Sequence, residues 1–291
     1  MKIGYNEATA LGCSTLENDL RLCEECGFDF IEIRMDMLRD YLLRKPLDEL
    51  KRFFASSRLR PHAMNAFYLY PQFLSENDDP VRRQALLDEI LLGFTVAREI
   101  GSHNAIVVAP LQRDPKGGPY VGGWDETFRE CVRILRRLST LGDFYGVNIC
   151  FELVGFNRSS VRSVGEADAI VREVNRPNVG FVLDSYNIHL NGGINDFSVM
   201  KQVDPGRIFA AHINNADPVP EAEMGQDKRR FPDQGVVDVD NFLRALKECG
   251  YEGMVSVETF RPEYWQRDPE WVIREAYRTT RAVMERNGVF A

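Results

Sequence analysis

Short apolar runs of β type alternate with helix-patterned stretches from one end of the chain to the other. That alternation constrains the fold more than any other feature. The runs are Ile3–Asn6, Phe28–Ile33, Arg60–Ala66, Ala105–Ala109, Asn148–Leu153, Val179–Asp184, Ile208–Ile213 and Met254–Glu258. Each is nearly continuously apolar, the pattern of parallel strands covered on both faces. Eight such runs in 291 residues leave about 36 residues per unit, room for a strand, a crossover helix and two loops. No Pro/Gly/Ser-rich linker or block of like charge divides the chain. Regular βα alternation leaves a closed barrel or an open doubly wound sheet. Eight similar units, with no GxGxxG after the first run, favour the barrel. The expectation is an α/β protein, one (β/α)8 TIM barrel domain over residues 1–291.

Helix ends support the same division. Ser14-x-x-Glu17 reads as a capping box opening a helix through Leu16, Leu20 and Cys23, with Gly27 just past its end. Asp240 reads as the cap before Phe242, Leu243 and Leu246, with Gly250 after them. Asp268-Pro269-Glu270 supplies a cap, a first-turn proline and an acid before Trp271, with Gly288 as the stop. The CxxC of Cys23 and Cys26 falls one turn apart inside the first of these helices. It lacks the second pair or neighbouring histidines of a structural zinc site, so it reads as thiols on a core-facing helix.

The longest strongly apolar run, Ala105 to Leu111, is far short of the roughly 18 residues that cross a bilayer. The opening MKIGYNEATA has no apolar core of a signal peptide, so a cytoplasmic location is expected. A formal charge of −8 disfavours nucleic acid as a partner, since polyanions are held by Lys and Arg. The expected partner is a small molecule, without nucleic acid or membrane, and self-association into a homo-oligomer stays open.

In a (β/α)8 barrel the C-terminal strand ends converge on one mouth, where polar residues meet despite long separations. The last four runs end in Glu152, Asp184, His212 and Glu258. One solvated acid at a strand end is commonplace; four polar ends in succession are not. Three carboxylates crowded into a narrow mouth repel one another unless a cation lies among them. Two Glu, one Asp and one neutral His make an oxygen-rich set for one divalent ion, which Mn²⁺, Co²⁺, Mg²⁺ or catalytic Zn²⁺ could each supply.

The stretches Asn6-Glu7-Ala8-Thr9, Ile31-Glu32-Ile33-Arg34, Asn178 through Ser185, Val255-Ser256-Val257-Glu258 and Phe260-Arg261-Pro262-Glu263-Tyr264 resemble the xylose-isomerase-like barrel superfamily of sugar isomerases, epimerases and endonuclease IV. Within it they look most like the inosose (2-keto-myo-inositol) isomerases of inositol catabolism. The resemblance matches the family's metal ligands to Glu152, Asp184, His212 and Glu258. It also shows departures. Related ketose epimerases carry a substrate-contacting His three residues after the strand-six Asp; here that residue is Asn187, with His189 two further on. Endonuclease IV uses five histidines for three metals, and this chain has four in all. Of these, His62 and His103 precede or begin strands three and four, on the opposite face.

The implied activity is an isomerase moving the carbonyl of a cyclic keto-polyol, from 2-keto-myo-inositol to the 1-keto-D-chiro-inositol type, through a cis-enediolate. The ion would hold the carbonyl and hydroxyl oxygens together, while Glu152 and Glu258 remove and return the proton. A ketose or sugar-phosphate 3-epimerase or isomerase, or a 3-keto-glycoside lyase-type relative, would use the same site. A sugar-binding barrel that keeps the metal without catalysis is the non-enzyme alternative. Candidate substrate contacts are Asn65 at the third strand end, Asn187 and His189 after the sixth, Arg229 after the seventh, and Arg261 and Trp265 after the eighth. Lys228 and Arg230 flank Arg229 but lie among acids, Asp227 and Asp233, as a solvated loop would.

Overall fold

The computed structural model of the chain describes residues 1–69, 79–112, 119–191 and 195–290. Eight parallel strands close into a barrel in the order β1-β10-β7-β6-β5-β4-β3-β2. They are β1 (Lys2–Asn6), β2 (Phe30–Arg34), β3 (Arg60–Tyr68), β4 (Asn104–Val108), β5 (Asn148–Glu152), β6 (Val179–Asp184), β7 (Ile208–Ile213) and β10 (Met254–Val257). Each expected run became a strand, with ends moved by one or two residues. A short antiparallel pair, β8 (Asn215–Ala216) and β9 (Arg229–Arg230), interrupts the repeat after β7. It occupies the polar stretch that makes the last spacing between strand ends longer than the others.

The ring of helices comprises α1 (Leu16–Cys26), α2 (Met35–Leu42), α3 (Leu47–Ser56), α4 (Pro80–Ile100), α5 (Trp124–Tyr145), α6 (Val164–Val174), α7 (Ser185–Leu190), α8 (Val239–Glu248), α9 (Pro262–Trp265) and α10 (Pro269–Arg286). Two caps differ from expectation. Thr15, not Ser14, caps α1 by accepting from the Asn18 N–H, because the Ser14 hydroxyl is bonded to buried Asp19. Asp238, not Asp240, caps α8; Asp240 is held by Arg286 and Asn287 at the end of α10. Asp268 caps α10 as expected, with Pro269 in its first turn. Cys23 is buried in the core and Cys26 half-buried beside it, both as free thiols.

Burial divides into two shells. The larger lies between strands and helices and includes Ile3, Ile31, Phe94, Leu135, Phe181 and Ile273. The smaller fills the barrel and includes Ile106, Val108, Cys150, Val182, Ala210 and Met254. The strand period of two decides which residues enter it. Gly4 makes room there, since a Cβ on it would lie 2.2 Å from Met254 Sδ. No helix among the described residues is long and apolar enough to cross a membrane.

Candidate metal centre

The inner shell and the mouth are built from the same alternation. Cys150 and Glu152, Val182 and Asp184, Ala210 and His212, and Ser256 and Glu258 are two apart, so each pair points into the barrel. The lower members of the first three pack inside it. The upper members reach the C-terminal mouth. Asp184 and His212 are register partners across β6 and β7, and Glu258 follows β10 directly. Along the barrel wall the four donors form an arc over β10, β7, β6 and β5, with a glutamate at each end.

One ligand atom from each of Glu152, Asp184, His212 and Glu258 lies within 4.8 Å of the others, and all four residues are buried. Nδ1 of His212 faces the carboxylates, 3.3 Å from Glu258, 3.5 Å from Glu152 and 3.9 Å from Asp184. It has no hydrogen-bond partner among the described residues. A buried imidazole nitrogen left without a bond and surrounded by three carboxylates is what a divalent ion would satisfy. The donor set therefore fits the ion that the sequence implied.

Charge in this pocket is unevenly shared. Burial disfavours the His212 cation, but Glu32 and Glu258 lift its pKa well above the usual 6.5. Burial raises Glu152 to about 7 despite the nearby His212 ring. Glu258 goes the other way: burial opposes it, yet His212 and then Arg229 hold its carboxyl below the ordinary range. Arg229 adds to the effect of His212 on Glu258. Its guanidinium is fully buried, and Nη1 donates to Asp184 at 2.9 Å and to Glu258 at 3.0 Å. It also lies over the rings of Tyr186 and Phe260, which replace the water it has lost.

Asparagines supply most of the next contacts. Asn187 donates to Glu152 at 3.3 Å, Asn214 to Asp184 at 3.0 Å, and Asn65 and Asn6 to Glu258 at 3.3 and 2.9 Å. Asn187 is placed by α7, which starts directly after β6 with Asp184 as its cap. Gly155 permits the close approach, since a Cβ there would lie 2.2 Å from the Asn187 carbonyl.

Of the residues expected at the site, the four ligands, Asn65, Asn187 and Arg229 come together. The other three stand further out. His189 Nδ1 is bonded to Asn195 at 2.9 Å, and its ring lines a separate cavity of about 320 Å³ with Met224 and Val236. Arg261 pairs with Asp217 at 2.7 Å and touches the ligands only through the Arg229 carbonyl. Trp265 packs over Gly12 and donates to the Ala8 carbonyl at 3.3 Å. Lys228 and Arg230 are paired with Asp227 and Asp217, as a solvated loop would have them. His62 and His103 lie at the barrel's other end, lining a shared cavity of about 370 Å³.

Sequence reasoning missed Glu32, Asn6 and Asn214. Glu32 carried a signal: it is the one charged residue within Phe30-Ile31-Glu32-Ile33, and it faces inward.

Comparison with known proteins agrees with this architecture. A family model described as xylose isomerase-like TIM barrel matches residues 20–282. An inosose isomerase of Halalkalibacterium halodurans is 35% identical over 288 residues, covering 99% of this chain and 98% of that protein. An inosose isomerase of Bacillus velezensis is 36% identical over 287 residues, with 98% of each covered. The crystal structure of an IOLI protein with a bound zinc atom superposes with a TM-score of 0.89 at 35% identity, over 99% of both chains.

Proposed function

Because the chain belongs to the xylose isomerase-like TIM barrel family, we propose that it is a metal-dependent isomerase of a cyclic keto-polyol of the inosose type. One observation carries the reading: four ligand atoms within 4.8 Å, on a chain collinear with inosose isomerases over nearly its whole length. Mn²⁺ is the proposed ion, and a cytoplasmic place in inositol catabolism goes with it.

Moving a carbonyl to the next carbon requires taking a proton from the carbon beside the ketone and returning one to its neighbour. Glu152 and Glu258 stand at opposite ends of the four-strand arc, so they approach a bound ring from two sides. We assign proton removal and return to this pair. Asp184 and His212 lie between them and serve as ligands. When bound, the ion supplies a Lewis acid that stabilises negative charge on neighbouring substrate oxygens. Arg229 orients the Asp184 and Glu258 carboxylates and offers a fixed positive charge toward the same oxygens. Asn65 and Asn187 hold the two glutamates and are placed to donate to substrate hydroxyls. His189, Arg261 and Trp265 would shape the mouth from the next layer out.

The test is incubation with 2-keto-myo-inositol in D₂O with Mn²⁺, beside a panel of free ketoses and ketose phosphates. Deuterium gained at one ring carbon, together with a shifted carbonyl, supports the reading. Faster turnover of a ketose or its phosphate replaces it with an epimerase.

A further inference from the structure

Among the described residues, the barrel interior contains a carboxylate that no ligand role accounts for. Glu32 lies mid-strand in β2 and is fully buried. A lone charge there costs several kcal/mol unless it is paired. Its partner comes from across the barrel: Nε2 of His212 is 3.0 Å from Oε2 and 3.3 Å from Oε1. Asn6 donates to Oε2 at 3.0 Å, and His62 Nδ1 approaches Oε1 to 3.6 Å from below.

A neutral imidazole has one N–H and one lone pair, and only the lone pair binds a metal. With Nδ1 facing three carboxylates, the ring is a useful donor only while the proton stays on Nε2. We propose that Glu32 is a positioning residue for the metal centre: its carboxylate accepts the Nε2–H of His212 and so holds the Nδ1 lone pair toward the ion. Asn6 links the two layers, because its two amide hydrogens go to Glu32 and to the ligand Glu258. His62 supports Glu32 from the opposite side without reaching the centre. This inference rests on the metal-centre reading above.

The experiment is zinc affinity by competition with a chromophoric chelator, for wild type, Glu32→Gln, Glu32→Leu and His62→Phe. Thermal unfolding of each metal-free protein records whether it is folded. Loss of an outer-layer partner of a histidine ligand typically costs 10–100-fold in affinity. That loss is expected for Glu32→Gln, at least as much for Glu32→Leu, and less for His62→Phe. In parallel, ¹⁵N NMR of the zinc-loaded wild type should find His212 with its proton on Nε2 and the metal on Nδ1, a readout that requires no variant. A proton on Nδ1, or wild-type zinc affinity in the folded Glu32 variants, overturns the proposal alone. Failure of the wild type to take up one equivalent of zinc overturns the metal centre and the proposal with it.

Discussion

Arg229 Nη1 donates to Glu258 Oε2 across 3.0 Å, with both side chains buried. A permanent cation thus sits against one end of the donor arc, while among the described residues Glu152 at the other end forms no ion pair with a guanidinium. Arg229 is also among the largest fully buried side chains of the described residues. The asymmetry shapes what substitutions at this site will do.

Replacing Arg229 by Met should destabilise the metal-free protein by about 3–5 kcal/mol, the usual result of leaving one half of a buried ion pair alone. Urea unfolding with and without saturating Mn²⁺ measures this. The loss should shrink when the ion is present, because it neutralises the carboxylates that Arg229 leaves behind. Equal urea midpoints for wild type and variant in chelator would show that the guanidinium is not holding the site together.

One equivalent of divalent metal should bind, and Asp184→Asn or His212→Gln should weaken it sharply. At a free concentration of 100 times Kd the ion adds about 2.7 kcal/mol of stability. Metal analysis after desalting, with thermal scans before and after chelation, checks both points. Unchanged metal content in either variant would remove that residue from the ligand set.

Glu152→Gln and Glu258→Gln each keep a ligand oxygen and nearly the same volume while removing the base. A fall in kcat of about 10²-fold or more, with much smaller loss of metal, is expected for each. Solvent-deuterium exchange into 2-keto-myo-inositol separates the steps. A variant that retains full metal and exchanges at the wild-type rate has not lost the base for that proton.

Asp19 predicts a pH dependence far from the mouth. Burial, only partly offset by hydrogen bonds with Ser14 and Glu7, raises its pKa from 3.8 to about 7. The folded state therefore favours the protonated acid. Its stabilising contribution is complete below about pH 4 and is lost as pH rises through about 7. Wild type should lose urea resistance more steeply between about pH 4 and 7 than Asp19→Asn, whose amide imitates the protonated acid. Parallel pH profiles would contradict this.

What the sequence made legible followed from patterns that no tertiary contact can disguise. Strands covered on both faces must be apolar throughout, so the eight runs stood out; Glu152, Asp184 and His212 lie at or one residue before the ends of three of them. The misplaced caps had tertiary causes. Ser14 and Thr15 are equally good caps, and only the fold decides that Asp19 takes the first hydroxyl. Asp238 and Asp240 were likewise separated by Arg286 and Asn287, some 46 positions along the chain. Glu32 was hidden because a single acid in an apolar run resembles a half-exposed strand, and its partner, His212, is 180 residues away. Asn6 was masked by the ordinary preference of asparagine for turns.

The barrel closes where β1 pairs with β10, and Asn6 reaches Glu258 across that joint over 252 positions of sequence. The last of the four candidate ligands along the chain is thus held by a residue at the end of the first strand. A growing chain can carry Glu152, Asp184 and His212 outside the ribosome while the cage still lacks its fourth wall. In the proposed four-ligand centre, tight capture of metal would require the β1–β10 joint to be closed, which would make the ion a latch on the finished barrel rather than a seed for its assembly.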